Sequence, residues 1–370
     1  DAKVVTIDVG IFRKDIWDLY LDARILIGLV KRLDKKSVRR SRIIDTMNNA
    51  VVAFKDDKKD AKTSRKILSK ELVKKATTSD LRAAAVGHAH IDTGWLWPVK
   101  ETIRKCARTF ATQLDLIDRY PDYIFGASMP QHYQFMKDHY PKIFKRIKAA
   151  VEKGQWELQG GMWVEADCNL ISGESMVRQL LLGKNFFLKE FGIEVDNLWL
   201  PDVFGYSAAL PQILKKADVN YFLTQKISWN QFNEFPYQTF NWRGIDGTEI
   251  LTHFPPENTY NSELDTEFIL PAQQTFKEKV QLDEFMSLFG VGDGGGGPKP
   301  ENIELGRRLK NLESAPKVSF DTAKNFFKRL NKKKDTLETW VGELYLELHR
   351  GTLTTLSLIH ISEPTRPTPI

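Results

Sequence analysis

Between Leu81 and Leu348, short apolar runs alternate with longer stretches whose apolar residues recur every three or four positions. The longer stretches read as amphipathic helices. The clearest carries Val99, Ile103, Ala107, Phe110, Leu114 and Ile117 on one face, with Pro98 near its first turn. The short runs read as strands: Ala83 to Val86, Tyr123 to Phe125, Trp156 to Leu158, Leu198 to Leu200, Tyr221 to Thr224, Ile250 to His253, Met286 to Val291 and Trp340 to Leu348. Strands alternating with helices predict an α/β fold with a mostly parallel sheet, open or closed into a barrel. Residues 1–80 have a different texture, a strand followed by helices rich in Lys, Asp and Leu, and predict a mainly helical N-terminal region. No internal repeat is evident.

Residues 356–370 leave this pattern. Their prolines at 364, 367 and 369 have no helix or strand to cap, and the segment resembles translated sequencing-adapter DNA. The native frame is therefore expected to stop near Thr355, leaving a fragment. The reading divides the chain into 1–80, 81–325 as the catalytic unit, 326–355 as its last strand and the start of a helical region, and 356–370 as a non-native tail.

Composition narrows the function classes. At 370 residues there is chain enough for a large core, and 42% hydrophobic with 28% charged residues is ordinary for a globular protein. Runs such as Ile25 to Val30 fall far short of a membrane span, and the opening Asp-Ala-Lys-Val-Val lacks the regions of a signal peptide. Two cysteines, Cys106 and Cys168, point to a reducing, cytoplasmic setting without a disulfide framework. The net charge of +6 comes largely from Lys and Arg between Lys31 and Arg82, interleaved with acids as on solvated helix faces. No nucleic-acid or membrane partner is expected, and a homo-oligomer is left open.

The chemistry concentrates in Gly87-His88-Ala89-His90-Ile91-Asp92-Thr93-Gly94-Trp95-Leu96-Trp97-Pro98. In an extended strand His88, His90 and Asp92 fall on one side, and imidazole with carboxylate suits a cation such as zinc. Two further acids stand out by context. Asp202 follows Leu198-Trp199-Leu200-Pro201, and Asp293 precedes Gly294 to Gly297; each ends an apolar run and opens a glycine-containing loop. Catalytic groups of parallel α/β barrels come from such strand ends.

These words, with Gly160-Gly161-Met162-Trp163-Val164-Glu165-Ala166-Asp167, Trp199-Leu200-Pro201-Asp202-Val203-Phe204-Gly205-Tyr206-Ser207, Gly292-Asp293-Gly294-Gly295-Gly296-Gly297-Pro298 and Glu347-Leu348-His349-Arg350-Gly351-Thr352, resemble glycoside hydrolase family 38, the class II α-mannosidases, in its cytosolic and bacterial branch. The resemblance implies a distorted (β/α)7 barrel-like catalytic domain and retaining hydrolysis of terminal α-mannosides of oligosaccharides, with Zn2+ (Co2+ as the alternative ion) holding the sugar. It implies that His90, Asp92, Asp202 and His349 ligate the metal, that Asp202 is the nucleophile and that Asp293 is the acid/base. Trp95 and Phe204 resemble the aromatic walls of the mannose site. Gln225, Trp229 and Asn230, beyond another strand end, are further candidates for sugar contacts.

Other readings stand beside these. His88 reads as a hydrogen-bond partner, Glu165 and Asp167 as either site wall or scaffold, and Cys106, His132, His139 and His253 as packing. A metal-dependent sugar deacetylase would also use His and Asp at strand ends, but with a water nucleophile. An incomplete fragment would bind metal and sugar without turnover.

Overall fold

The computed structural model describes residues 6 and 9–353, apart from 56, 57 and 79. The opening strand expected in residues 1–80 and the 356–370 tail lie wholly or mostly outside the described residues. Three helices come first: α1 (Lys14–Arg32), α2 (Val38–Ala53) and α3 (Lys58–Leu72), packed on one another. From there strands and helices alternate. The order is β1 (Arg82–His88), α4 (Val99–Arg119), β2 (Phe125–Ala127), α5 (Pro130–His139), α6 (Pro141–Glu152), β3 (Trp156–Leu158), α7 (Gly173–Phe191), β4 (Asn197–Trp199), α8 (Leu210–Lys216) and β5 (Tyr221–Leu223). It continues with β6 (Thr239–Arg243), β7 (Glu249–His253), α9 (Thr266–Thr275), β8 (Glu284–Phe289), α10 (Pro300–Arg308), β9 (Lys317–Phe320), α11 (Ala323–Leu330) and β10 (Thr339–Val341).

The ladders divide into two sheets. One runs β3-β2-β1-β8, with β9 sharing an edge of β1; the other runs β10-β6-β7-β5-β4. Every named pairing is parallel except the β6–β7 hairpin. The expected α/β alternation is therefore present, but among the described residues the ladders do not join into one barrel ring. Two strands, β6 and β9, carry too many polar residues to have been read from apolar runs. In the opposite direction, the run from Trp340 forms a strand only to Val341. Gly342, at φ 110°, turns the chain out of the sheet.

Each sheet has its own apolar core. Around the first, Trp156 packs edge-on against Phe110 and Phe125 at ring separations of 5.2 and 4.8 Å. Around the second, Tyr206, Phe222 and Trp242 are fully buried. His253, at the end of β7, links the two sheets: its Nδ1 lies 2.9 Å from Thr239 Oγ1, and its Nε2 accepts from the Met286 N–H of β8 at 3.2 Å.

The N-terminal helices are tied to this body by charge and by close contact. Arg24 of α1 donates to Glu301 Oε1 at 2.5 Å, to Asp265 Oδ2 at 2.6 Å and to Glu263. Asp22 bridges α3 and α10, accepting from Arg65 Nε at 2.8 Å and from Arg308 Nε at 2.7 Å. Gly28 marks where α1 crosses α9. A Cβ there would sit 1.7 Å from Thr266 Oγ1 and 2.8 Å from Thr266 Cβ, so rotating the threonine brings no relief. Alanine gains about 1 kcal/mol over glycine in a helix interior, but overpacking costs about 1–3 kcal/mol. We expect Gly28→Ala to be destabilising in denaturant melts; a stabilised variant would show that α1 does not seat on α9 this closely.

Candidate active site

Loops beyond the C-terminal ends of strands in both sheets converge on one cavity of about 780 Å³. The segment after β1 supplies Asp92 and Trp95, that after β4 supplies Asp202 and Phe204, and that after β5 supplies Gln225, Lys226 and Trp229. The loop after β7 adds Tyr260, and the loop after β8 adds Asp293. Ligands of parallel α/β sheets bind at this end of the strands.

β1 stops at His88, so His90 and Asp92 lie in the loop rather than continuing the strand. The side chain of His88 turns into the core, where Trp199 Nε1 donates to its Nε2 at 3.4 Å. Burial, and then the neighbouring His90, lower its pKa to about 3 and keep it neutral. His90 is 3% exposed and surrounded by acids. Its Nε2 lies 3.1 Å from Asp92 Oδ1 and 3.5 Å from Asp202 Oδ2, and its Nδ1 lies 3.0 Å from Glu165 Oε2. Burial works against a charge on this ring, but Glu165 and Asp92 outweigh it and hold the pKa well above its usual value. Burial in turn raises the pKa of Glu165, with His90 opposing.

The backbone brings Asp293 into the same group. The Asp92 N–H donates to the Asp293 carbonyl at 3.2 Å, and Ile91 bridges Gly294. Asp293 adopts φ 59°, a left-handed conformation that aspartate tolerates better than most residues. The turn into this loop requires glycine at 290, where φ is 125° and a Cβ would stand 2.3 Å from the His88 carbonyl oxygen. The facing loop is fastened by Thr102 of α4, whose hydroxyl accepts from the Gly94 N–H and Trp97 Nε1 and donates to the Asp92 carbonyl.

Ligand atoms of His90, Asp92 and Asp293 all lie within 4.8 Å of one another. This donor set, imidazole nitrogen with carboxylate oxygen, fits a divalent cation such as zinc or cobalt. Carboxylates this close repel one another unless positive charge is shared among them. Asp202 gives Oδ2 to the His90 side, while its Oδ1 accepts from Lys226 Nζ at 2.6 Å. Tyr260 donates its hydroxyl to Asp293 Oδ1 at 2.5 Å; burial, then Asp202 and Asp293, push its pKa far up.

Residues 80–343 match the family described as Glycosyl hydrolases family 38 N-terminal domain. The chain belongs to this family. It is 44% identical to alpha-mannosidase G of Dictyostelium discoideum over 353 residues, which is 94% of this chain and 32% of that protein. It is 42% identical to human alpha-mannosidase 2C1, covering 94% of this chain and 34% of the relative. The chain thus spans about a third of the length of these relatives. Its fold is shared with the crystal structure of an alpha-mannosidase from Enterococcus faecalis V583, at a TM-score of 0.58 and 22% identity over 71% of this chain and 31% of that one.

Within this family 38 chain, the residues anticipated from sequence fall into three groups. His90, Asp92, Asp202 and Asp293 are brought together, with Asp293 in the metal-capable trio alongside its expected role as acid. Trp95, Phe204, Gln225 and Trp229 line the cavity. Gln225 is buried, and its amide nitrogen has no hydrogen-bond partner among the described residues, leaving a donor for a ligand hydroxyl. His349 also lines the cavity, but it is exposed, with its ring 5.2 Å from Phe204, and is not in the trio. Asn230 serves the scaffold instead, accepting from the Glu347 N–H. Lys226 and Tyr260 were not anticipated. Lys226 could have been noticed as a cation at a strand end amid residues already under suspicion, whereas Tyr260 carries no such signal.

The loop bearing Tyr260 is anchored by Glu257, whose carboxyl group lies 3.0 Å from Ser262 Oγ and 2.8 Å from Ser287 Oγ of β8. Burial pushes its pKa from 4.5 up to about 8. The native state therefore keeps a proton that the unfolded chain releases, and its stability falls as pH rises between those two values and levels above them. Glu257→Gln removes that loss. Melting curves at pH 5 and pH 9 should show the variant gaining on wild type at the higher pH; a difference independent of pH would refute the buried, protonated state of Glu257.

Proposed function

We propose that this chain carries the catalytic site of a retaining α-mannosidase acting on terminal α-mannosides of oligosaccharides in a reducing, cytosolic compartment. The observation that carries the reading is the meeting of Asp202 and Asp293 around His90, in a cavity walled by Trp95 and Phe204. Two carboxyl groups at one site are what glycoside hydrolysis requires, and aromatic faces suit the C–H-rich side of a sugar. The two buried free cysteines accord with a reducing setting. In this reading the strands build the family's distorted (β/α)7 barrel-like domain, and residues 81–325 are its main body.

His90, Asp92, Asp202 and His349 would hold Zn2+, or Co2+ in its place. His349, which lines the same cavity, would supply the fourth ligand. The ion would contribute positioning and polarisation of sugar hydroxyls. The protein's own groups make and break the bonds. Asp202 attacks the anomeric carbon as the glycosidic bond breaks, and Asp293 gives its proton to the departing oxygen. A water then loses a proton to Asp293 and displaces Asp202, so the configuration is retained and both carboxyls are restored. Tyr260, bound to Asp293 Oδ1, would orient that carboxyl through both steps. Trp95 and Phe204 cover the sugar ring, while Gln225 and Trp229 contact its edge.

A slow fluorinated mannoside, followed by peptide mass spectrometry, tests this directly. The expected result is a mannosyl adduct on Asp202. Turnover of α-mannosides with no adduct and with inverted product would defeat the retaining mechanism, and release of acetate from N-acetylated sugars would favour a deacetylase. Asp202→Ala should lose both cation uptake and hydrolysis. Asp293→Ala should keep the cation and slow substrates with poor leaving groups by about 100- to 10,000-fold, while activated aryl mannosides suffer less. Equal losses on both substrates would remove Asp293 from the role of proton donor.

A further inference from the structure

The cavity holds a buried cation that the proposed chemistry has not used. The Lys226 side chain is 3% exposed, and its Nζ lies 2.6 Å from Asp202 Oδ1. Nζ also stands 3.5 Å from the ring centroid of Trp229 and 4.7 Å from that of Phe204. An ammonium group is costly to bury without partners. Here a carboxylate and two aromatic faces compensate it, and all three belong to the candidate site. The other oxygen of Asp202 faces His90 Nε2 at 3.5 Å. The carboxylate is thus held between two groups, one at each oxygen.

We propose that Lys226 is a positioning residue that binds Oδ1 of Asp202, so that the carboxylate presents only Oδ2 to a cation at His90 and Asp92 and keeps Oδ1 on the side bounded by Phe204 and Trp229. Two physical effects follow. A free carboxylate can rotate and chelate a divalent ion through both oxygens, which tightens the ion but withdraws the nucleophile. A fixed positive charge beside the site also repels the ion. Lys226 therefore weakens cation binding while fixing Asp202 for attack. The short 3-10 turn Lys226–Trp229 after β5 sets this geometry, with the Lys226 N–H 3.3 Å from Thr224 Oγ1. A residue that served only to fill space would support metal and turnover together.

The inference rests on His90 and Asp92 as cation ligands, and the test separates the two ideas. Co2+ affinity is measured by chelator competition for wild type, Lys226→Met and Lys226→Arg, and hydrolysis of an aryl α-mannoside is followed beside it. Methionine matches the lysine stem among the aromatic rings, and arginine restores the charge. The expected outcome is that Lys226→Met binds Co2+ about tenfold more tightly, with kcat, where turnover is measured, about 100-fold lower and KM little changed. Lys226→Arg should return Co2+ affinity toward the wild-type value. Wild-type protein that takes up no Co2+ overturns the cation site, and this proposal with it. Wild type that binds Co2+ while Lys226→Met binds it equally or more weakly overturns this proposal alone and leaves the metal site standing.

Discussion

The architecture of this site turns on a shortage of positive charge. One imidazole, His90, is approached by Asp92, Asp202 and Glu165, with Asp293 close by. At such separations carboxylates repel, and the repulsion is strong where water is excluded. The fold tolerates the arrangement because three of the four acids are also held elsewhere. Asp202 leans on Lys226, Asp293 on Tyr260, and Glu165 on Ser128. These partners fix the carboxylates in place without neutralising the group as a whole, so a divalent ion beside His90 would relieve the remaining repulsion.

The scaffold enforces that crowding through backbone rather than through side-chain packing. Asp92 and Asp293 arrive on loops that hydrogen-bond to each other, one after β1 and the other after β8, and those strands are paired in register along their length. Gly290 allows the second loop to turn against the His88 carbonyl, and α4 fastens the first through Thr102. His253 joins the sheet that delivers Asp202 and Lys226 to the sheet that delivers His90 and Asp293. A change at any of these points alters the spacing of charges before it touches the chemistry.

Much of this could be read from sequence, because the site follows strand ends and strand ends follow apolar runs. The helix through Val99 to Ile117 declared itself by periodicity and forms α4, and Asp202 and Asp293 were marked by the glycine-bearing loops they open. What escaped has physical reasons. β6 and β9 are half polar, so alternation with short runs could not find them. His253 reads as one more apolar strand end, although its two ring nitrogens join the sheets. Lys226 carried no separate signal in the sequence, and only the three-dimensional meeting of β4 and β5 shows it buried against Asp202. Closure of the strands into a single ring depends on long-range ladders that no local pattern encodes.

The distribution of exposure across the cavity argues for its use. The floor, His90, is 3% exposed and surrounded by acids, whereas Trp95 and Trp229 at the rim are 37% and 42% exposed. Stability alone gives no reason to leave two indoles partly in water above a cluster of carboxylates: the indoles forgo burial, and the acids repel one another. A ligand with hydroxyls on one face and C–H bonds on the other accounts for both features at once. Its polar face would meet the acids and the unpartnered Gln225 nitrogen, and its apolar face would cover the rings. A pyranose has that division. The same asymmetry explains why Lys226 belongs on the wall between floor and rim, where its charge meets Asp202 and its contacts with Trp229 and Phe204 keep those rings in place.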